Sequence, residues 1–508
     1  MNPLTGDPLF QEILNARQRI YTYAEPTPLE RLPISAKGSL FVKREDQSPI
    51  HAYKWRGAFN KMAALDKATL SHGVITASAG NHAQGVALAA KIMQAHATIY
   101  MPVATPRMKQ DAVRKHGGAH VDIRLFGDTF SEALDAAVTE QERSGKLFVH
   151  AYDDIQVMGG QGTLADEIVM SGKGPFDRAY IQIGGGGLLA GVACWLKVHY
   201  PGIEIIGVEG ERQACMTAAL ENGAPINLDY VDVFCDGTAV RRAGNRTFAY
   251  CQKLIDRIVQ VSNDAVSGAI KLCWETLRTT PEPSGALGIA GALADGVLEK
   301  NGNTLLIICG SNMDLSMLSR ISARALLASS SKRFYRFQIN DQPGTLLKIM
   351  KCFPDAANVI EFQYGRTESE TVSPVLGIEA SDEIFAEMEN NLCKGDIIFE
   401  ARDYDLAIEF GIIPFQPNPE RQMSFLKLEF HERSGSVSGF LEQYQEEANI
   451  CYFNYRYSGE IVGRALIGFE IPIEMDTENF FQSLPRTGPG YRAIHKVSTS
   501  EVSAIFGK

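Results

Sequence analysis

Between residues 39 and 310 the chain alternates short Val- and Ile-rich runs with longer Ala-rich amphipathic segments. That alternation restricts the fold more than any other feature. It predicts strands at "LFVKRE" (40–45), "GVITAS" (73–78), "ATIYMP" (97–102), "LFVHAY" (147–152), "AYIQI" (179–183), "EIIGVEG" (204–210) and "LLIICG" (305–310). Helical segments such as "NHAQGVALAAKIMQ" (81–94) and "FSEALDAAVTEQERSG" (130–145) lie between them. Strands joined by helices of this length form βαβ units, so the class is α/β with a mostly parallel sheet. Such folds bind ligands in the loops at the carboxyl ends of strands. At 508 residues the chain exceeds what one core holds, and two to four domains are expected.

The pattern changes near "LLASSSKRFYRF" (326–337), where a serine run followed by Lys-Arg marks a hinge. Beyond it the strands are expected to be fewer and the helices shorter. Three prolines within 414–419 break the chain again. Around these breaks runs an internal repeat: "FQINDQPGTLLKIM" (337–350) resembles "LEFHERSGSVSGFL" (428–441), and "VIEFQYGR" (359–366) resembles "ICYFNYRY" (450–457). The same offset of 91 residues separates Gly344 from Gly435 and Phe362 from Phe453. Each copy reads strand, Pro/Ser-Gly turn, helix, strand and a third strand ("VLGIEA" or "ALIGFEI"), which fits the β-α-β-β-α-β order of a small α+β ferredoxin-like module. The expected division is residues 1–328, 333–405 and 423–500.

Composition excludes several function classes. The net charge of −11, from 49 basic and 60 acidic residues, is the wrong sign for a nucleic-acid surface. Nine scattered cysteines with no C-x-x-C pair argue for a reducing compartment, and against disulfides or a zinc site. No secretory signal opens the sequence and no stretch approaches the ~20 apolar residues of a membrane span. The chain therefore reads as cytoplasmic, with no metal and no membrane partner.

Five loops carry the chemistry. In "YIQIGGGGLLAGVACWL" (180–196) four glycines end a strand and open a helix. Backbone amides freed of Cβ atoms, aimed by a helix N-terminus, suit a phosphate; one or two glycines would satisfy a packing turn. The pattern is neither G-x-G-x-x-G nor a Walker loop, which disfavours a dinucleotide or nucleoside triphosphate. "TASAGNHAQG" (76–85) gathers Ser78, Asn81 and His82 at a helix start, where simple N-capping accounts for them equally well. Lys54 in "SPIHAYKWRGAF" (48–59) lies between aromatics near a helix start, a place where most lysines are solvated charges. "LIICGSNMD" (306–314) and "TPEPSGALGIAG" (280–291) place Cys309, Ser311, Asn312 and Glu282 in loops of the same kind, although a buried cysteine is ordinarily an apolar filler.

Taken in order, "FVKRED", "HAYKWRGA", "ITASAGNHAQGVA", "GQGTLADEI", "GGGGLLAG", "DGTAV" and "EPSGALG", followed by the paired modules, resemble the fold type II (tryptophan-synthase-β type) pyridoxal-phosphate enzymes. The resemblance is closest to the long-form threonine deaminases with C-terminal ACT-type regulatory modules, and it runs through nearly the whole chain. It implies pyridoxal 5'-phosphate as cofactor and Lys54 as the Schiff-base lysine. It implies that Asn81 meets the ring hydroxyl, that Gly184, Gly185, Gly186, Gly187 and Leu188 hold the phosphate, and that Cys309 faces the pyridine nitrogen. Gly237 and Glu282 would border the cofactor, and Ser78, Ala79, Gly80, Asn81 and His82 would receive the substrate carboxylate. The family usually has Ser-Phe-Lys where this chain has Ala52-Tyr53-Lys54, and its biosynthetic members usually have serine at position 309. Both departures leave threonine against serine open.

The implied reaction is deamination of threonine to 2-oxobutanoate and ammonia, the entry to isoleucine synthesis. A Schiff-base nitrogen must be neutral, which burial beside aromatics favours. Ala79 stands where related racemases carry a second serine, which favours elimination over racemisation. For the paired modules the resemblance implies an amino-acid effector, with isoleucine inhibiting and valine relieving, and candidate contacts at Phe362, Tyr364, Phe453 and Tyr455; a purely dimerising role is the alternative. A homotetramer is implied too. The competing functions are a serine-preferring dehydratase or β-replacement enzyme on the same scaffold, and a catalytically inactive amino-acid sensor.

Overall fold

The computed structural model describes residues 3–328, 331–367, 371–402, 408, 411–418, 420–431, 435–444, 449–456, 462–483 and 491–498. Residues 1–2, 403–405 and 499–500 at the ends of the expected domains lie outside the described residues, as do 329–330 of the hinge and 432–434 and 457 of the repeat. The chain divides after Ala328 into two compact units.

The first unit holds two sheets. Six strands run in the order Leu29–Arg31, Ser39–Arg44, Asn303–Ile308, Arg178–Gln182, Glu204–Gly210 and Arg257–Val261, parallel except for the first pair. Four more run Val121–Leu125, Ala97–Met101, Val74–Ala77 and Leu147–Phe148, all parallel. Val74–Ala77 and Ala97–Met101 are buried at every position, which is why they stand out as unbroken apolar runs. The strands Leu29–Arg31, Val121–Leu125 and Arg257–Val261 escape the sequence pattern because they are edges whose outward positions carry Glu, Asp, Arg or Gln. The run 147–152 pairs only at Leu147 and Phe148. There Nδ1 of His150 accepts the amides of Tyr152 (3.1 Å) and Asp153 (2.8 Å) and turns the chain. The helix Phe130–Ser144 starts at a Thr129/Glu132 capping box and stops at Gly145, where φ is 69°.

The second unit was expected to hold few strands, yet nine of its described strands form one sheet. Lys332–Asn340, Asn358–Gly365, Val375–Glu379 and Ile398–Arg402, with helices Thr345–Met350 and Asp382–Lys394, make the first β-α-β-β-α-β array; Thr371–Val372 is a short extra strand. Gln422–His431, Asn449–Arg456, Val462–Ile471 and Tyr491–Lys496, with Ser436–Tyr444 and Thr477–Ser483, make the second. Antiparallel strands here alternate buried and exposed residues, as in "KRFYRFQIN", so no apolar run announces them.

The two arrays join edge to edge through Asn358–Gly365 and Asn449–Arg456, antiparallel, with Phe362 opposite Tyr455 and Tyr364 opposite Phe453. The proline-broken stretch packs against this sheet, with the Phe415 ring 5.5 Å from Tyr452 and Gln416 N donating to Arg366 O at 2.8 Å.

This junction corrects two candidate effector contacts. Phe362 and Phe453 are 1% and 0% exposed, and their rings meet edge to face at 4.4 Å in the shared core. They are packing residues because the repeat brings the same aromatic of each copy to the sheet's centre. Phe362→Ala is expected to destabilise this unit by about 3–5 kcal/mol in denaturant unfolding, as for other buried aromatics. Unfolding unchanged within 1 kcal/mol would contradict that placement.

Candidate active site

The strand Arg178–Gln182 delivers the chain to Gly184–Gly187, and the helix Gly187–His199 leaves from there. Gly186 has φ 96°, which only glycine adopts freely. The glycine carbonyls are tied to one side: Gly184 O accepts from Cys215 Sγ (3.3 Å), Gly185 O from Thr247 Oγ1 (2.5 Å) and Gly186 O from Ala190 N (3.0 Å). Among the described residues the amides of Gly185, Gly186, Gly187 and Leu188 meet no acceptor, and all four residues line one cleft. The run also fits tightly against its surroundings. A Cβ on Gly185 would lie 2.3 Å from the Tyr152 ring, and one on Gly184 would lie 3.0 Å from Thr238 Cα.

Across this cleft, of about 450 Å³ counted to its open mouth, stands Lys54, at the cap position of the helix Trp55–Ala63. The segment before it is zipped to the end of the strand Asn303–Ile308 by Tyr53 N to Cys309 O at 3.0 Å and Ser311 N to His51 O at 2.9 Å. Two residues on, the fully buried Arg56 anchors the helix through Glu45 (both bonds 2.9 Å) and Glu167. The Lys54 amine has no hydrogen-bond partner among the described residues. Burial lowers its pKa from the ordinary lysine value, opposed by Cys309, Glu282 and Asp236.

Asn81 opens the helix Asn81–Ile92 and donates from Nδ2 to Glu282 Oε1 at 2.7 Å. Burial first, and Asp236 second, push the Glu282 carboxyl up to about 7. The folded protein therefore keeps this proton longer than the unfolded chain, and stability falls as pH rises from about 4.5 to about 7. Glu282→Gln removes that fall. The cofactor-free variant is expected to match wild type below pH 4.5 and to exceed it above pH 7 by up to ~3 kcal/mol. Parallel stability–pH curves would contradict it. Cys309 Sγ lies 3.4 Å from Ser284 O, and burial raises its pKa, so a neutral thiol faces the cleft.

Ser78 Oγ accepts from Gly80 N at 3.2 Å, while the amides of Ala79, Asn81 and His82 meet no acceptor among the described residues. The imidazole of His82 departs from expectation. It is 1% exposed, bonds Val149 O through Nε2 at 2.9 Å, and burial lowers its pKa to about 3. One position beyond Asn81 on the helix, it points into the core, so only its amide is left for a ligand.

The cleft offers free amides for a phosphate, an amide side chain and a neutral thiol for polar ring positions, and an uncommitted amine for an aldehyde. That donor set fits pyridoxal phosphate. The pyridoxal-phosphate dependent enzymes match residues 20–310, and the C-terminal regulatory domain of threonine dehydratase matches residues 418–501. The biosynthetic L-threonine dehydratase of Burkholderia multivorans is 36% identical over 494 residues, 95% of this chain and 96% of that one. The Escherichia coli enzyme of the same name is 37% identical over 487 residues, 92% of this chain and 93% of that one. Among solved structures, the processed form of threonine deaminase isoform 2 from Solanum lycopersicum aligns with a TM-score of 0.59 and 42% identity, over 63% of this chain and 94% of that one. The chain belongs to the pyridoxal-phosphate-dependent threonine dehydratases.

In this threonine dehydratase chain Lys54, Asn81, the glycine run, Leu188, Gly237, Glu282 and Cys309 all line the same cleft. Gly237 packs closely on Ser284, since a Cβ there would lie 2.9 Å from Ser284 Oγ. Sequence reasoning missed Tyr152, Gln182, Thr238 and Ser284, which line the cleft too. Gln182 was legible as a polar residue inside an apolar strand, and Ser284 as part of the loop already quoted.

The regulatory unit holds two cavities related by the repeat. One, of about 380 Å³, is lined by Gly344, Tyr364 and Asn449; the other, of about 470 Å³, by Gly435, Tyr455 and Asn358. Each draws its loop and tyrosine from one array and its asparagine from the other, at the same 91-residue offset. In the first, Asp341 accepts from Tyr364 OH (2.7 Å) and Asn449 Nδ2 (3.1 Å) and pairs with Arg366 (2.8 Å).

Proposed function

We propose that this chain deaminates L-threonine to 2-oxobutanoate and ammonia, with Lys54 both carrying the cofactor and moving the α-proton. The observation that carries this is the convergence of an unpartnered, desolvated amine with a row of acceptor-free glycine amides in one cleft. When bound, pyridoxal phosphate supplies the electron sink for the substrate α-carbon. The chain's own residues do the rest. The amides of Gly185 to Leu188 would hold the cofactor's phosphate at the start of the helix Gly187–His199. With the cofactor bound, Asn81 would donate to its ring hydroxyl, and the neutral Cys309 thiol would meet its ring nitrogen without imposing a charge there. The amides of Ala79, Asn81 and His82 receive the substrate carboxylate, with Ser78 bracing the turn. Lys54, kept partly neutral by burial, takes the α-proton as general base. Ala79 adds no second acid to that loop, which supports elimination over racemisation.

The regulatory reading places an amino-acid effector, isoleucine, in the two repeat-related cavities at Tyr364 and Tyr455, with valine as its competitor. Their equivalence across the repeat supports it. The nine unpaired cysteines support a reducing compartment such as the cytoplasm. No helix among the described residues is long and apolar enough to cross a membrane. We expect the holo-protein to be a homotetramer. The deciding experiment is 2-oxo acid release from threonine and serine, with and without isoleucine. Threonine is expected to be preferred and its turnover lowered by isoleucine; a strong preference for serine would overturn the assignment.

A further inference from the structure

The ladder between the Lys54 lead-in and the end of the strand Asn303–Ile308 does not stop at Ser311. Asn312, half-buried and outside the cleft lining, extends it with its side chain. Its Nδ2 donates to Ile50 O at 2.7 Å and to Asn81 Oδ1 at 2.8 Å. A backbone carbonyl only accepts, so the atom facing Ile50 has to be the nitrogen of Asn312. That nitrogen obliges Asn81 to present its oxygen, which turns the nitrogen of Asn81 toward Glu282 Oε1 at 2.7 Å. Of the two hydrogens on Asn81 Nδ2, one is taken by Glu282. The other meets no acceptor among the described residues, and Asn81 lines the cleft. An asparagine amide has two faces of nearly equal shape; here a carbonyl in a different element selects one of them.

We propose that Asn312 is a positioning residue that holds the Asn81 amide as a hydrogen-bond donor toward the cofactor cleft. The proposal rests on the reading of Asn81 as a cofactor contact. If the Asn81 amide turned over, its nitrogen would face the Asn312 nitrogen and an acceptor would point into the cleft. A neutral aromatic hydroxyl could donate to such an acceptor, but once ionised it has no proton to give and is repelled by it. The same relay joins three elements: the Lys54 lead-in, the end of the strand Asn303–Ile308, and the helix Asn81–Ile92. Close packing of Gly85 on Trp55 and the Lys54 carbonyl sets the spacing of the two helices, and Asn312 adds the link that fixes which way the Asn81 amide faces.

A double-mutant cycle on the full-length protein tests this, with Kd for pyridoxal phosphate measured by absorption and fluorescence titration of cofactor-stripped protein. Asn312→Ala is expected to raise Kd about tenfold, the scale of the hydrogen bonding lost, and to shift the bound cofactor's absorption band. In an Asn81→Ala background the same change is expected to act less than about twofold, because its route is gone. Asn312→Asp, nearly isosteric but unable to donate from its carboxylate, is the second variant and is expected to show the same coupling. Equal losses in both backgrounds, or no loss in either, would overturn the positioning role. If wild type itself binds no pyridoxal phosphate, the reading of the whole cleft fails; if wild type and Asn312→Ala bind alike, only the positioning role fails.

Discussion

Threonine turnover by Lys54→Ala is expected to fall by at least about a thousandfold, because one side chain serves as both cofactor attachment and general base. The fold is expected to survive. The amine has no hydrogen-bond partner among the described residues, and its charged form is disfavoured by burial, so deletion breaks no bond and removes a desolvation cost. Thermal unfolding of the cofactor-free protein should therefore be unchanged or slightly raised. Lys54→Arg keeps length and charge but holds its proton at any accessible pH, and is expected to be as inactive as alanine. Residual turnover of a tenth of wild type in either variant would show that another group moves the proton.

Gly185→Ala is expected to weaken pyridoxal phosphate binding by about a hundredfold or more. Its new Cβ would sit 2.3 Å from the Tyr152 ring, a distance no real contact sustains. Tyr152 cannot easily retreat, since its hydroxyl donates to Arg242 O at 3.2 Å and its ring meets His150 edge to face at 4.6 Å. The strain therefore falls on the glycine backbone, and the row of free amides loses its alignment. Gly202→Ala, where nothing lies within 4 Å of a new Cβ, is the matched control and is expected to bind like wild type. Equal affinities for Gly185→Ala and wild type would remove the phosphate from this cradle.

Local chemistry was legible in the sequence where one short stretch carried it. Four successive glycines state a backbone requirement directly, and Lys54 gained meaning from the ordered motifs around it. The relations that orient the site were not legible, because they join distant positions. Asn81 meets Glu282 across 201 residues and Asn312 across 231. His82 was placed in the correct loop, but its imidazole is set by the helix phase one step past Asn81, and it faces Val149 rather than the cleft. In the regulatory unit the repeat was visible as a fixed offset, while its strands were under-read because alternation hides them. The aromatic pair Phe362 and Phe453 looked like ligand contacts from sequence; the sheet junction makes them each other's neighbours.

The most direct test is chemical. Holo-protein reduced with borohydride, digested and mapped by mass spectrometry is expected to carry the pyridoxyl mass on the peptide containing Lys54 and on no other. Label on a different lysine, or a protein that takes up no label, would contradict the assignment of this cleft and the reaction proposed for it.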